Sequence, residues 1–449
     1  MATFANVTDW LAHLETVHKT EIDLGLTRVG EMKTRLQAAG LLALNYPIIT
    51  VGGTNGKGST CAYLEQILLA AGYKVGCHTS PHVIDFTERA RFNGVDTTEA
   101  QLLPFFHEVE RVRLQAPEIS LTYFEFTLLV FMCWFDAQQP DAVVLEVGLG
   151  GRLDATNVFD SAVALVTSVD IDHVGFLGDT REAIGFEKAG IFRAGAPAIC
   201  ADPNPPQSLI DHAKTIGADL KLINRDFHYQ VVQDDQRKQW RFIGEHGARN
   251  SLAMPAMRGD YQLANASAAL AALEAVRAQL PVTQQAVRVG ISNAVVRGRF
   301  QVLPGQPVTI LDVAHNPHAA RALAKNIGQM GYAPYTHAVF GAMADKDIAQ
   351  VMHIMCDVVD HWYLCDLPSP RAATSAQLRM ILLESGFVTD QDHSVQIFDS
   401  VQSALVHLSA SVPTQVSPND RIIIFGSFVT VEQALKGMPR FPSVPAEST

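Results

Sequence analysis

The chain has 449 residues, about three domains' length on a prior of roughly 150 residues each. Hydrophobic residues make up 48% and charged residues 18%, which provides apolar material for packed cores and excludes a disordered chain. The sequence has 46 Asp and Glu against 34 Lys and Arg, a formal net charge of −12. This balance argues against a nucleic-acid-binding protein, whose affinity would depend on basic patches. It leaves room for a small anionic ligand, which needs only a local positive site.

The start of the sequence and the cysteines indicate a compartment. Residues 1–14 hold no basic region followed by an apolar run, so we expect no secretory signal. The longest dense apolar stretch, residues 128–135, is too short to span a bilayer and predicts a buried helix. The six cysteines never reach CxxC spacing, which favours reduced, buried thiols and argues against a zinc site. We therefore expect a cytoplasmic protein without a membrane partner.

Short apolar runs alternate with helical periodicity, which indicates an α/β fold with a doubly wound, mainly parallel sheet. Near-continuous apolar runs are typical of strands buried on both faces of such a sheet. In the first part of the chain the pattern predicts strands at 46–51, 75–78, 142–147 and 162–166, and helices at 59–71, 98–114 and 124–137. Residues 202–259 look less regular, with a polar stretch near 230–239, and helices are predicted at 265–280 and 283–294.

A second α/β series begins after the basic segment Arg297-Gly298-Arg299. It has predicted strands at 309–312, 336–341, 362–365 and 421–425, with helices starting at residues 317, 374 and 430. We therefore expect two domains, a P-loop domain over residues 1–296 and a smaller Rossmann-like α/β domain over residues 297–449.

The strongest motif is Val-Gly-Gly-Thr-Asn-Gly-Lys-Gly-Ser-Thr at residues 51–60, between a predicted strand and a predicted helix. Glycines let the backbone turn its N–H groups towards phosphate oxygens, and the helix N-terminus adds its positive dipole end. Lys57 can reach the outer phosphates of a nucleotide, and Ser59 or Thr60 can hold Mg²⁺. An ordinary Gly-rich turn is the alternative. The segment departs from the general G-x-x-x-x-G-K-[ST] pattern, because Gly58 separates the lysine from the hydroxyl residue.

Three further residues lie at the ends of predicted strands or follow them, where parallel sheets bind ligands. Glu146 ends one strand and could reach a nucleotide-bound metal, although a glutamate there is also often structural. Ser80 follows the strand at 75–78 and offers another oxygen ligand. His173 follows the strand at 162–166, and it would be an unusual ligand for Mg²⁺, which prefers oxygen donors.

The Gly-Thr-Asn-Gly-Lys-Gly-Ser form of the loop resembles the Mur ligase superfamily of ATP-dependent amide-bond ligases. Segments 121–125, 145–157, 187–191 and 312–318 resemble the bifunctional bacterial type of the folylpolyglutamate synthase/dihydrofolate synthase family, and the likeness runs from about residue 22 to 428. The resemblance implies a ligase that joins L-glutamate to dihydropteroate, and to the γ-carboxylate of reduced folates, through an acyl phosphate made with ATP. Another Mur-type ligase, such as a muramyl-peptide ligase, and a P-loop switch protein without ligase chemistry are the alternatives.

The resemblance also implies site residues. It gives ATP contacts at Thr54, Asn55, Gly56, Lys57, Gly58, Ser59, Asn265, Arg299 and Asp312. It gives positions for one or two Mg²⁺ ions at Ser59, Ser80, Glu146 and His173. Catalytic roles fall to Lys57, Lys188 and His173, and closure of one domain on the other is expected to assemble the site.

Lys188 matches a lysine that is carbamylated by CO₂ in related ligases, and a plain salt-bridged lysine is the alternative. Dihydropteroate contacts are implied at Asp23, Leu24, Gly25, Leu26, Thr122, Tyr123, Phe124, Glu125, Leu153, Asp154 and Ala155. Phe124 could face the flat heterocycle or could equally be a core aromatic residue. His315 and Ser427 are candidates for glutamate or second-domain contacts. By family likeness we expect a monomer.

Overall fold

The structure is a computed structural model that describes residues 4–20, 22–233, 238–259, 261–411 and 415–437. These residues form two compact units. The first unit lies within Met1–His82, Phe86–Ala256 and Asp260–Val295, and the second within Val83–Asp85, Met257–Gly259 and Val296–Thr449. The predicted first domain included both short segments of the second unit, because three residues carry no periodicity that would mark their membership.

The first unit begins with two helices and then combines strands and helices. Its helices are α1 (Val7–Val17), α2 (Thr27–Ala38), α3 (Lys57–Ala70), α4 (Glu99–Arg113), α5 (Tyr123–Gln138), α6 (Val174–Leu177), α7 (Arg181–Ala189), α8 (Gln207–Ile216), α9 (Tyr261–Ala275) and α10 (Gln284–Asn293). Its strands are β1 (Ile48–Gly52), β2 (Val75–His78), β3 (Ala90–Phe92), β4 (Val95–Asp96), β5 (Ala142–Glu146), β6 (Val163–Val166), β7 (Pro197–Cys200), β8 (Asp219–Leu222), β9 (His228–Gln233), β10 (Lys238–Gly244) and β11 (Gly247–Ala253).

The main sheet has the strand order β4-β3-β2-β5-β1-β6-β7-β8 in the described part of the chain. All neighbours from β2 to β8 are parallel, and β3 and β4 extend one edge in antiparallel fashion. The central strand β1 pairs with β5 on one side and β6 on the other, so the carboxyl ends of these three strands meet at one edge. This is the doubly wound, mainly parallel sheet that the sequence predicts.

Apolar burial explains why these runs form strands. Every residue of β1, β2, β5 and β6 is buried, as continuous apolar runs in a parallel sheet should be. A helical layer at the chain start completes the core, because Trp10 of α1 is fully buried and stacks on Phe126 of α5 at 6.0 Å between ring centroids. Thr122 caps α5 with its side chain, which starts the helix one residue before the predicted position.

Residues 202–259, which look less regular in sequence, contain regular elements that the pattern did not predict. They contain α8, β8 and a separate antiparallel sheet in the order β11-β10-β9. Its strands carry polar and half-exposed residues, so they lack the continuous apolar signal of the main sheet. Part of the polar stretch near 230–239 lies outside the described residues.

The second unit is a smaller α/β layer structure. Its strands are β12 (Gln301–Leu303), β13 (Val308–Leu311), β14 (Thr336–Phe340), β15 (His361–Cys365), β16 (Ser394–Phe398) and β17 (Arg421–Phe425), and its helices are α11 (Pro317–Gly328), α12 (Ile348–Met355), α13 (Ser375–Glu384), α14 (Val401–Ser411) and α15 (Phe428–Gly437). The sheet order is β12-β13-β17-β14-β15-β16, parallel from β13 to β16 and antiparallel at β12. This unit is the Rossmann-like α/β domain that the sequence predicts.

Candidate active site

The phosphate loop joins β1 to α3 and turns at two glycines with positive φ. Gly53 has φ 137° and Gly56 has φ 90°. A Cβ atom on Gly53 would overlap Thr167 Oγ1, and a Cβ atom on Gly56 would lie 2.5 Å from Asn265 Oδ1. Both positions therefore need glycine for the backbone conformation and for space.

Two hydroxyl residues directly after β6 hold this loop from the neighbouring strand. Thr167 Oγ1 donates to Asn55 O at 2.6 Å, and Asn55 N donates to Ser168 Oγ at 3.0 Å. Thr54 N donates to Ser168 O at 2.8 Å. Neither Thr167 nor Ser168 was among the predicted site residues, although a hydroxyl pair immediately after a buried strand was a usable signal.

Lys57 opens α3, and its side chain lies back across the loop. Its Nζ atom donates to Gly53 O at 3.1 Å and to Thr54 O at 3.4 Å. The ammonium group therefore lies at the loop that leads into the N-terminus of α3. A fixed cation and a helix N-terminus at one point favour a bound phosphate group.

A buried amide links Ser59 to Asn265. Gln262 Nε2 donates to Ser59 Oγ at 3.3 Å, and Asn265 Nδ2 donates to Gln262 Oε1 at 3.3 Å. Tyr63 Oη donates to the same Gln262 oxygen at 3.3 Å. The structure thus brings the predicted nucleotide contact Asn265 to the loop through both Gly56 and Gln262, and sequence reasoning missed Gln262.

Glu146 and Ser80 meet at the carboxyl ends of their strands. Ser80 N donates to Glu146 Oε2 at 3.0 Å, and Glu146 is buried. A Cβ atom on Gly58 would lie 3.8 Å from the same Glu146 oxygen. The carboxylate therefore lies against the first turn of α3, which also carries the buried residue Ser59.

His173 lies in the loop after β6, where it precedes α6. Its backbone is in the left-handed region at φ 52°, and its N–H donates to Asp172 Oδ1 at 2.8 Å. Its side chain is exposed, unlike those of Glu146 and Ser59. The metal role of His173 stays a prediction.

The predicted magnesium ligands are Ser59, Ser80, Glu146 and His173. Among the described residues, no group of three or more His, Cys, Asp or Glu side chains is arranged to hold a metal ion. The predicted set instead offers one carboxylate, two hydroxyls and one imidazole. Such a set fits Mg²⁺ that completes its shell with phosphate oxygens and water, since Mg²⁺ is usually held through one or two carboxylates plus substrate phosphates.

Lys188 is buried near the end of α7. Burial and the charge of Lys57 lower the pKa of Lys188 to about 7, although Asp172 and Asp154 act in the opposite direction. A lysine with this pKa presents a neutral amine in a large fraction of molecules at neutral pH. Carbamylation requires this neutral form.

Phe124 and Asp154 meet around Gly148. A Cβ atom on Gly148 would lie 2.7 Å from the Phe124 ring and 3.1 Å from Asp154 Oδ2. Phe124 is half-buried, so part of its ring is accessible. Asp154 is buried and accepts hydrogen bonds from Leu149 N at 2.8 Å and Thr156 Oγ1 at 2.6 Å. Burial raises the pKa of Asp154 despite these bonds.

Two other dihydropteroate candidates, Glu125 and Asp23, are carboxylates that both pair with Arg28. Glu125 accepts from Thr122 N at 2.8 Å and from Arg28 Nη2 at 3.1 Å, so this carboxylate caps α5 and pairs with an arginine. Asp23 pairs with Arg28 at 2.7 Å and with His18 at 3.1 Å. Substrate roles stay predictions for these residues and for Leu24, Gly25, Leu26, Tyr123, Leu153 and Ala155.

In the second unit, Asp312 follows β13 and is held by backbone donors. Its Oδ2 accepts from Phe300 N at 2.8 Å, and its Oδ1 accepts from Ala314 N at 2.8 Å. Burial raises the pKa of Asp312, although Arg299 acts in the opposite direction. The Arg299 guanidinium lies 5.5 Å from the centre of the Phe428 ring. The structure therefore groups the two predicted ATP contacts of this unit.

His315 and Ser427 belong to the same end of the second sheet. The His315 ring lies 6.2 Å from the Phe428 ring, and its Nδ1 contacts Val313 O at 2.8 Å. Ser427 Oγ contacts Thr430 Oγ1 at 2.7 Å and accepts from Thr430 N at 3.0 Å. Ser427 thus caps the start of α15, and a ligand role for either residue stays a prediction.

Across the described ranges, the helices are all too short or too polar to cross a membrane.

Comparison with known proteins identifies the family. The Mur ligase middle domain matches residues 51–273, and the Mur ligase glutamate ligase domain matches residues 298–428.

The dihydrofolate synthase/folylpolyglutamate synthase of Escherichia coli (strain K12) is 42% identical over 427 residues, which cover 95% of this chain and 94% of that protein. The solved structure of E. coli FolC in complex with DHPP and ADP has a TM-score of 0.88 at 41% identity, covering 97% of this chain and 98% of that chain. A solved bifunctional folylpolyglutamate synthase/dihydrofolate synthase with Mn, AMPPNP and L-glutamate bound has a TM-score of 0.84 at 40% identity, covering 96% and 98%. The chain belongs to the dihydrofolate synthase/folylpolyglutamate synthase family of Mur ligases.

Proposed function

We propose that this protein is an ATP-dependent ligase that joins L-glutamate to dihydropteroate and adds further glutamates to the γ-carboxylate of reduced folates. The observation that carries the proposal is the phosphate loop itself. Lys57 lies across the loop, and Glu146 lies against the helix that follows it and accepts a hydrogen bond from Ser80 N, in a chain of this family.

The chemistry starts from the poor reactivity of a free carboxylate, whose oxygen must become a good leaving group. A carboxylate oxygen of dihydropteroate attacks the γ-phosphorus of ATP, the bond to the β-phosphate oxygen breaks, and acyl phosphate and ADP form. The α-amine of glutamate then attacks the carbonyl carbon, phosphate leaves with the electrons of the C–O bond, and the amine loses a proton. Dihydrofolate, ADP and phosphate are the products. A reduced folate reacts in the same way at its terminal γ-carboxylate.

The residues of the loop stabilise charge on the transferred phosphoryl group. Lys57 Nζ and the N–H groups of residues 54–59 present fixed positive charge and dipoles, and such preorganised electrostatics accounts for most of the catalysis in phosphoryl transfer. Asn265, Arg299 and Asp312 are assigned to the remainder of ATP on family likeness. We assign most of these ATP contacts to residues 1–296, and those of Arg299 and Asp312 to residues 297–449.

Ser59, Ser80, Glu146 and His173 would hold one or two Mg²⁺ ions. A bound Mg²⁺ would neutralise phosphate charge during transfer. The Mn and AMPPNP in the solved relative support a divalent cation beside the nucleotide.

We assign a carbamate to Lys188. The neutral amine nitrogen attacks the carbon of CO₂, a C–N bond forms, and one proton is released to solvent. The product is an anion that can help to organise a metal. The pKa of about 7, set by burial and by Lys57, supports this step because it leaves much of the amine unprotonated.

The pterin end of the substrate is assigned to the surroundings of Gly148, where the Phe124 ring and Asp154 meet. A flat heterocycle packs against an aromatic face, and an amino-pyrimidinone edge hydrogen-bonds to a carboxylate or to backbone acceptors. We further propose that the protein works as a monomer in the cytoplasm. The six cysteines are all free, which supports a reducing compartment.

The test is ADP release with dihydropteroate or with a tetrahydrofolate, each with and without L-glutamate, followed by mass analysis of the product. We expect ADP formation that depends on acid and glutamate, with a mass gain of one glutamyl residue. UDP-linked muramyl substrates form the arm for another Mur-type ligase. Acceptor-independent hydrolysis alone, or turnover only with the muramyl substrates, would overturn the proposal.

A further inference from the structure

Arg91 in β3 makes a set of contacts that the proposed chemistry has not used. Its Nε and Nη2 atoms donate to Glu65 Oε2 at 3.1 and 3.0 Å. Its Nη1 donates to Thr79 Oγ1 at 3.1 Å, and its Nη2 also contacts Cys77 Sγ at 3.2 Å. One guanidinium group therefore joins α3, β2 and the segment after β2.

These contacts end next to residues assigned to the metal. Thr79 immediately precedes Ser80, whose N–H donates to Glu146 Oε2. Glu65 is 2% exposed and lies in α3, the helix that carries Ser59 near its start. The contacts of Arg91 thus link the helix that carries Ser59 to the segment that carries Ser80, and Ser80 in turn bonds Glu146. These are three of the four residues assigned to Mg²⁺.

We infer that Arg91 is a positioning residue, which sets the place of the Ser80 segment relative to the phosphate-loop helix and so tunes the affinity for the divalent cation. This inference rests on the proposed function, because it takes Ser80 and Glu146 as metal ligands. The planar guanidinium suits the task, since its donors have fixed directions and can serve a carboxylate and a hydroxyl together. Groups behind metal ligands orient them, and their loss typically costs about 10–100-fold in metal affinity or activity.

The competing explanation is that Arg91 and Glu65 form only a structural ion pair. Variants of Thr79 distinguish the two explanations. Thr79→Val removes the hydroxyl that accepts from Arg91 and keeps the side-chain shape, while the ion pair of Arg91 with Glu65 remains. Thr79→Ser keeps the hydroxyl and is the matched control. Neither variant changes a residue assigned to ATP or to the metal.

The measurement is Mn²⁺ binding to the ADP-saturated protein, followed by electron paramagnetic resonance of free Mn²⁺. We expect about tenfold weaker Mn²⁺ binding for Thr79→Val and wild-type binding for Thr79→Ser. ADP binding in EDTA and the thermal midpoint without ligands should stay at wild-type values, the latter within about 2 °C. Equal Mn²⁺ affinity in Thr79→Val and wild type, or equal loss in both variants, would overturn the inference.

Arg91→Lys adds a second test, because one ammonium group cannot serve Glu65 and Thr79 together. Weaker Mn²⁺ binding with unchanged ADP binding in EDTA is expected. If this variant does not fold, the Thr79 pair still decides. A ligase assay on the same wild-type preparation keeps the two proposals apart. If the wild type shows no ligation while Thr79→Val binds Mn²⁺ more weakly than the wild type, the proposed function is refuted and the positioning role of Arg91 stands.

Discussion

Gly56 and Gly72 have nearly the same positive φ but different surroundings, and together they form a sharp test of the phosphate loop. Their φ values are 90° and 93°. A Cβ atom on Gly56 would lie 2.5 Å from Asn265 Oδ1, whereas a Cβ atom on Gly72 would meet nothing within 4 Å. Alanine at either position has the same backbone penalty, and only alanine at 56 displaces Asn265.

The size of the effect follows from these distances. A non-glycine residue in the left-handed region costs about 1–2 kcal/mol, and both variants should lose this much stability. Ordinary contact begins at 3.4 Å, so the Asn265 amide must move by close to an ångström in Gly56→Ala. This shift breaks the 3.3 Å hydrogen bond to Gln262. It also moves Asn265, which we propose as a nucleotide contact. We expect ADP to bind about tenfold more weakly, which corresponds to ~1.4 kcal/mol.

Isothermal titration with ADP measures the binding, and urea unfolding measures the stability of both variants. Gly72→Ala should bind ADP like the wild type while losing a similar free energy of unfolding. Equal ADP affinity in Gly56→Ala and Gly72→Ala would refute the placement of Asn265 at the nucleotide.

Lys57→Ala should lower turnover by about 10²–10³-fold with the fold intact by circular dichroism, because it removes a charged donor to the phosphoryl group, and near-normal rates would contradict this role. Lys188→Ala should be inactive, and wild-type activity should fall after removal of CO₂ and return with bicarbonate; full activity in Lys188→Ala would remove the carbamate from the mechanism. Burial lowers the pKa of His78 to about 3, so this imidazole stays neutral in the folded state while the unfolded state takes up a proton below its ordinary pKa of 6.5. Stability from this group is complete above pH 6.5 and is lost as the pH falls towards 3, so the free energy of unfolding should drop by about 2 kcal/mol more between pH 7 and pH 5 in the wild type than in His78→Asn. Asn keeps a donor for Arg89 O, and identical pH profiles in urea unfolding would contradict the expectation.

The fold was predictable where burial is uniform. The strands β2 and β17 have the predicted bounds, and every residue of both strands is buried. The predicted helix at 265–280 is instead α9 at Tyr261–Ala275, so its start and end are both displaced. The sequence stays rich in Ala and Leu beyond the end of the helix, and composition alone does not show where a helix ends.

The candidate site was predictable as a set of strand ends and as a loop motif, but not as a set of contacts. Glu146 and Ser80 follow strands in sequence, and their hydrogen bond depends on β2 and β5 being neighbours in the sheet. Thr167 against Gly53 and Arg91 against Thr79 depend likewise on which strands pair. Such contacts arise from tertiary structure, and a local pattern carries no information about them.

The hydroxyls of Thr167 and Ser168 have a consequence for ligand capture. They tether Asn55 from the adjacent strand, so the turn that would receive a triphosphate is held by side chains that lie outside the loop. Nucleotide binding therefore costs little conformational entropy of the loop backbone, and more of the free energy of the contacts contributes to affinity. Residues that never touch a nucleotide can in this way set how tightly one is bound.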